Sequence, residues 1–136
     1  MRDLLDLFKE ALNDAGNENV YLAFDALPVR EKGRFFTVLG IKSFEASSPV
    51  YSQYTVFMPF NAEVEINVYA PESQTMRLLL RHFELYVMPA VDSLAGLTTH
   101  ISRYNMKHDS NLKRLVLTVG VSVSGIRRIE REENGQ

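Results

Sequence analysis

The chain has no cysteine in its 136 residues. That excludes disulfides, thiolate metal ligands and a cysteine nucleophile, and it is compatible with a reducing compartment. No apolar run approaches the ~18 residues of a membrane-spanning helix. Asp3 and Asp6 interrupt the first apolar stretch before it reaches the length of a secretion signal. The expectation is a protein made inside the cell and not held in a membrane. The seven glycines form neither G-x-G-x-x-G nor G-x-x-x-x-G-K-[ST], and no serine sits in G-x-S-x-G. His82, His100 and His108 have no metal-ligand spacing, and there is no His-Glu-x-x-His run. No bound metal or cofactor and no enzymatic activity are expected. A catalytic cluster assembled from distant residues would leave no trace in such patterns. Charge of one sign is also missing: 15 Lys and Arg stand against 17 Asp and Glu, for a formal net charge of −2. A generic electrostatic footprint for nucleic acid is therefore absent.

What is present is apolar periodicity. Hydrophobic residues make up 46% of the chain, and its length suits one domain with one core. In residues 3–15, Leu4, Leu5, Phe8, Ala11, Leu12 and Ala15 form one helical stripe, stopped by Gly16 and Asn17. Residues 20–24 suit a short strand, and residues 28–34 a charged connector turning at Lys32 and Gly33. In residues 35–44, Phe35, Leu39 and Ile41 share one face of a strand, and Phe36, Val38 and Phe44 share the other. Such a strand is central in a covered sheet or pressed against another subunit. Residues 53–60 align Tyr54, Val56, Met58 and Phe60, with Pro59 marking a bulge, an edge or a break. Residues 63–70 put Val64, Ile66, Val68 and Ala70 inward and Glu63, Glu65, Asn67 and Tyr69 outward. The two stretches fit one long bent strand. Glu63 and Glu65, about 7 Å apart by strand rise, read as a solvent-facing edge or a charged oligomer face.

A second helix begins after Pro71, with Ser73 as its cap, and ends at Pro89 or Gly96. Its buried stripe is Met76, Leu79, Leu80, Phe83 and Val87. The clearest element comes last. Leu115, Leu117, Val119, Val121 and Val123 alternate with Val116, Thr118, Gly120, Ser122 and Ser124. This strand pairs with residues 98–106 across a polar turn. The order helix, strands, helix, hairpin defines an α+β fold: one antiparallel or mixed β-sheet with two helices packed mainly against it. Residues 1–126 form the domain and residues 127–136 a charged tail.

Surfaces rather than side-chain chemistry carry the functional expectation. Phe35, Phe36, Val38, Tyr54 and Phe57 are the subunit-interface candidates. Lys107, His108, Lys113 and Arg114 gather at the tip of the last hairpin and are candidates for partner or lumen contact; passing contact with DNA phosphate would use the same side chains. Asp109 and the acidic residues near the C-terminus dilute that cluster.

Three blocks carry a family resemblance. They are residues 35–45 (FFTVLGIKSFE), residues 64–71 (VEINVYAP) running into the second helix, and residues 108–119 (HDSNLKRLVLTV). With the element order, they resemble tail-assembly proteins of long-tailed phages and prophages, especially the tail-terminator or tail-completion group. Residues 17–34 have no counterpart in that pattern. The resemblance implies a homo-oligomeric ring, commonly a hexamer, that caps the tail tube, with tail-tube and head-connector proteins as partners. It implies the host cytoplasm during assembly and the virion tail afterwards, and no catalytic residues. Head-tail joining and a baseplate adaptor are alternative stations. The reading from a different class is a small ligand-binding or enzymatic α+β domain of bacterial metabolism, which requires a deep pocket with convergent polar groups.

Overall fold

A computed structural model describes residues 2–17, 19–23, 35–111 and 113–130. The expected connector at residues 28–34, with its Lys32–Gly33 turn, lies outside them, as do Phe24 and the last six residues of the expected tail. Helix α1 (Arg2–Asp14) is followed by β1 (Val20–Leu22), β2 (Phe36–Ala46), β3 (Val50–Tyr51) and β4 (Thr55–Pro71). Helix α2 (Met76–His82), a π turn (Phe83–Val87) and helix α3 (Met88–Asp92) come next, then β5 (Leu97–Asp109) and β6 (Arg114–Glu130). The sheet order is β1-β2-β4-β6-β5, with β3 paired to β4 beyond the end of β2. Strand β1 runs parallel to β2, and the other pairings are antiparallel. This is the expected α+β class with a mixed sheet, larger than a hairpin and its neighbours.

One face of the sheet is covered and the other is open. On the covered face, Val64, Ile66, Val68 and Ala70 of β4 lie opposite Val121, Val119, Leu117 and Leu115 of β6, and all eight are buried. Leu4, Leu5, Phe8 and Leu12 of α1 close over this layer, with Leu79, Phe83, Val87 and Val91 from the second helical rod. The period-two and period-3.6 patterns therefore meet in one core. The two stretches of β4 are one strand. Pro59 falls between the pairing of Ala46 with Phe60 and that of Val50 with Phe57. There, at the gap between β2 and β3, a missing N–H costs the ladder little.

Four local expectations change. The cap of α2 is Thr75, not Ser73: its Oγ1 accepts from the Leu78 N–H at 3.2 Å. Neither Pro89 nor Gly96 ends that helix where expected. Pro89 has no N–H and its ring crowds the carbonyl four residues back. The rod absorbs it by widening into the π turn, where the Met88 N–H donates to the Phe83 carbonyl five residues back. Gly96 serves the later turn into β5, at φ 77°. In β2, a bulge between Ile41 and Ser43 shifts the register and brings Phe44 opposite Ala62. Phe44 thus joins the covered side and stacks on Phe60, with centroids 5.4 Å apart. Finally, β6 continues through Ile129 and Glu130, which pair with Val56 and Thr55, so the first four residues of the expected tail are strand.

The end of α1 is fastened to the second rod by Asn17. Its Nδ2 donates to the carbonyls of Leu12 and Tyr86, both at 2.9 Å. Its Oδ1 is left to accept from His82 Nε2–H at 3.0 Å. Gly16 makes the approach possible: its φ is 111°, and a Cβ there would meet the Tyr86 ring at 3.1 Å. The His82 ring packs between Phe35 and Tyr86, with centroids at 4.8 and 5.0 Å. Burial holds this imidazole below its ordinary value of 6.5. The unfolded chain then takes up the proton first as pH falls. The stability contribution of His82 is complete above pH 6.5 and is lost as pH drops through the lower, folded value. Urea titrations across this range are expected to show a declining midpoint below pH 6.5, and His82→Gln should flatten it. Equal declines in both proteins would clear His82 of the effect.

Candidate functional site

The open face of the sheet is polar at its centre because the outward positions of four strands align there. Glu65 lies beside Gly40 of β2 and Gly120 of β6, and Asn67 beside Val38 and Thr118. The small neighbours leave room for long side chains to lie across the face. Lys42 Nζ reaches Glu65 at 3.4 Å, and Arg103 from β5 reaches Glu63 at 3.5 Å and Glu65 at 3.7 Å. Asn67 Nδ2 donates to Glu65 at 3.0 Å, and Thr118 Oγ1 donates to Asn67 Oδ1 at 2.8 Å. The paired glutamates are therefore not on a sheet edge. They sit half-buried on the central strand and bind cations from both sides. Such exposed pairs fix side-chain positions more than they stabilise the fold.

Beside this network is a depression of about 350 Å³, open to solvent, whose lining includes Glu65, Asn67, Tyr69, Asn105, Lys107 and Asp109. Burial chiefly, then Glu65 and Asp109, push the Tyr69 phenol above its ordinary value of 10.0. It is neutral at physiological pH and available as a donor. No group of three or more metal-ligating side chains occurs among the described residues.

The nine residues singled out from the sequence do not converge. Phe36 stacks on Tyr69 with centroids 4.7 Å apart, and the Arg114 guanidinium lies 4.9 Å over its ring. One interface candidate and one partner-contact candidate therefore satisfy each other within the subunit. Val38 is buried beside Asn67. Phe35 packs against the core and His82. Lys107 is on the open face, whereas His108 falls on the helix side and pairs with Glu72 at 2.6 Å. Lys113 occupies the turn at φ 53°. Tyr54 and Phe57 lie toward the opposite end of β4, roughly 40–50 Å from Tyr69 by strand rise.

That opposite end holds the most exposed apolar side chains. Beyond Phe60, β3, the start of β4 and the end of β6 extend as a three-stranded tongue. Tyr51 is 68% exposed, Ile126 62%, Val50 57% and Tyr54 46%. Val50, Phe57, Pro59 and Ile126 share one side of the tongue, and Tyr51, Val56 and Ile129 the other. Sequence reading found Tyr54 and Phe57 but missed Val50, Ile126 and Ile129. Residues 127–129 read as the start of a charged tail, and Ile126 as the last residue of the domain.

No protein-family model matches this chain, and no curated protein matches it. Solved structures with some likeness include the type 4 fimbrial biogenesis protein PilO from Pseudomonas aeruginosa. It is 12% identical, with a TM-score of 0.36 over 93% of this chain and 69% of that one. The core region of PilO from the type IV pilus system of the same organism is 16% identical, with a TM-score of 0.27 over 65% of this chain and 76% of that one. Similarity at this level carries no functional argument. The tail-terminator reading is corrected: no family model or curated protein supports a phage assignment, and the two structures above are pilus-system proteins. With it fall the capping ring on a tail tube, the tail-tube and head-connector partners, and the host cytoplasm and virion tail as locations. The three blocks that carried the resemblance are strands β2, β4 and β6 of a long antiparallel sheet, and their alternation belongs to any such sheet. No support for contact with DNA accompanies these neighbours. Among the described residues, no helix is long and apolar enough to cross a membrane.

Proposed function

We propose that this chain is a non-catalytic protein-assembly module that docks on protein partners through the tongue formed by β3, the start of β4 and the end of β6. The observation that carries this reading is the exposure of Tyr51, Ile126 and Val50, each more than half accessible, on a sheet extension that carries apolar side chains on both sides beside Arg127 and Arg128. Apolar side chains clustered in this way mark contact surfaces, because leaving them in water forgoes about 25 cal/mol per Å² of burial. Among the described residues the core cluster reaches Phe60 and includes no residue of the tongue beyond it, so packing of that core does not account for the tongue's apolar side chains. A photo-crosslinking amino acid placed at Tyr51 or Ile126, in the source organism, is expected to give discrete protein adducts. The same group at Glu10, on the exposed side of α1, should give none. Absence of adducts at both tongue positions would overturn the proposal.

A further inference from the structure

The sheet has a second unfinished feature at its other side. Among the described residues β5 is the outermost strand, and it is thirteen residues long. Its outer backbone groups form a ready template for another strand. A bulge between Ile101 and Arg103 divides the strand, and the turn after Asp109 ends its longer segment. What remains is a regular stretch, residues 103–109, whose midpoint is Met106. On this stretch Arg103, Asn105, Lys107 and Asp109 share the open face, opposite Gly120, Thr118, Val116 and Arg114. Tyr104, Met106 and His108 share the helix side.

We propose that this chain pairs with a second copy of itself along β5, residues 103–109 of each copy running antiparallel about a two-fold axis at Met106. Charge complementarity selects this register. Centred on Met106, Arg103 of each copy, which also bridges Glu63 and Glu65 of its own subunit, faces Asp109 of the other, Tyr104 faces His108, and Asn105 faces Lys107. Centred on Asn105, Arg103 would face Lys107 twice, and like charges directly opposite are unfavourable. Centred on Tyr104, the pairing runs into the bulge. Centred on Lys107, it leaves Arg103 opposite the turn. The centre fixed by the charges is thus the midpoint fixed independently by the bulge and the turn. A two-fold strand pair is self-complementary and closes on itself. It joins the two sheets into one, with both open faces on the same side. The proposal names one partner for the assembly reading and rests on that reading only in this respect, since it uses a different surface.

Edge charges and bulges also serve to keep edges unpaired, and the experiment separates the two roles. Because the chain has no cysteine, Met106→Cys supplies a single thiol at the axis. Opposed Cα atoms in an antiparallel pair are ~4.5–5.5 Å apart, within disulfide reach. Mild oxidation of Met106→Cys is expected to give a disulfide dimer much faster than Asn105→Cys or Tyr104→Cys. In sedimentation, Asp109→Arg should weaken self-association about 10-fold, since it acts at both ends of the pair. Arg103→Asp combined with Asp109→Arg should restore it. Should the double variant unfold through repulsion from Glu63 and Glu65, the thiol experiment and Asp109→Arg decide the matter. A protein monomeric at all concentrations, or fastest crosslinking at a position other than 106, would overturn the proposal. If the tongue still crosslinks to proteins in that case, the assembly reading stands and only the β5 pair falls.

Discussion

Ile66→Ala is expected to lower the unfolding free energy by about 2–5 kcal/mol. Ile66 is at the middle of β4, the central strand, and none of its surface reaches solvent. Its neighbours across the ladder are Leu39 of β2 and Val119 of β6, both equally buried. Removing three carbons there leaves a hole bounded by strands on both sides, and a hydrogen-bonded sheet cannot close it by moving a loop. The cost therefore includes both the lost transfer of apolar atoms and the cavity. Against a total stability of about 5–15 kcal/mol for a domain of this kind, the change takes a large share. Ile66→Val should cost only about 0.5–1.5 kcal/mol. Urea denaturation of the three proteins measures the series. A loss under about 1 kcal/mol for the alanine variant would mean that the layer at Ile66 is not packed as a core.

Ile66 also shows why much of this fold was legible in the sequence. Strands β4 and β6 alternate, with Val116 the exception, over the residues that the helices cover, because a half-covered sheet demands a period of two. The stripe of α1 is equally plain. What the sequence hid was register. Parity puts Phe44 on the face of Phe36 and Val38, but one extra residue at the bulge moves it to the opposite face. Thr75 displaced Ser73 as the cap because helix entry is set by where the chain leaves β4, not by the first capping residue after Pro71. The π turn is a compromise between Pro89 and the need to keep Phe83, Val87 and Val91 on the core.

The candidate surfaces were less legible for the same reason. Glu63 and Glu65 read as an edge or a charged oligomer face because nothing local says that β4 is central; only pairing with β2 and β6 does. Phe36 read as an interface residue because its roof, Arg114, is far along the chain and is brought over it by the order of three strands. Tyr54 and Phe57 were found, but the tongue was not. Its second half lies at the far end of β6, where Arg127 and Arg128 disguised Ile126 and Ile129. The family resemblance failed in a related way: a pattern shared by long antiparallel strands describes a sheet and not what the sheet joins.

Asn17→Ala is expected to cost about 2–4 kcal/mol, large for a residue outside any helix or strand. The side chain is buried and makes three hydrogen bonds: donations to the carbonyls of Leu12 and Tyr86, and acceptance from His82. Alanine removes them without removing the groups they satisfy. The Leu12 carbonyl keeps a partner, the Asn17 backbone N–H at 3.0 Å. The Tyr86 carbonyl, inside the π turn, loses its Asn17 donor, and the half-buried His82 ring loses its acceptor. An imidazole released in this way no longer needs the tautomer the network selected, so the effect should reach beyond α1 into the second rod. Asn19 offers the contrast. Its Nδ2 makes a single, longer bond to the Phe35 carbonyl at 3.2 Å, so Asn19→Ala should cost only about 0.5–1.5 kcal/mol. Urea denaturation compares the two, and hydrogen exchange at residues 79–91 locates the damage. Equal costs for the two alanine variants would mean that Asn17 is merely a helix stop; the structure instead makes it the joint between α1 and the second helical rod.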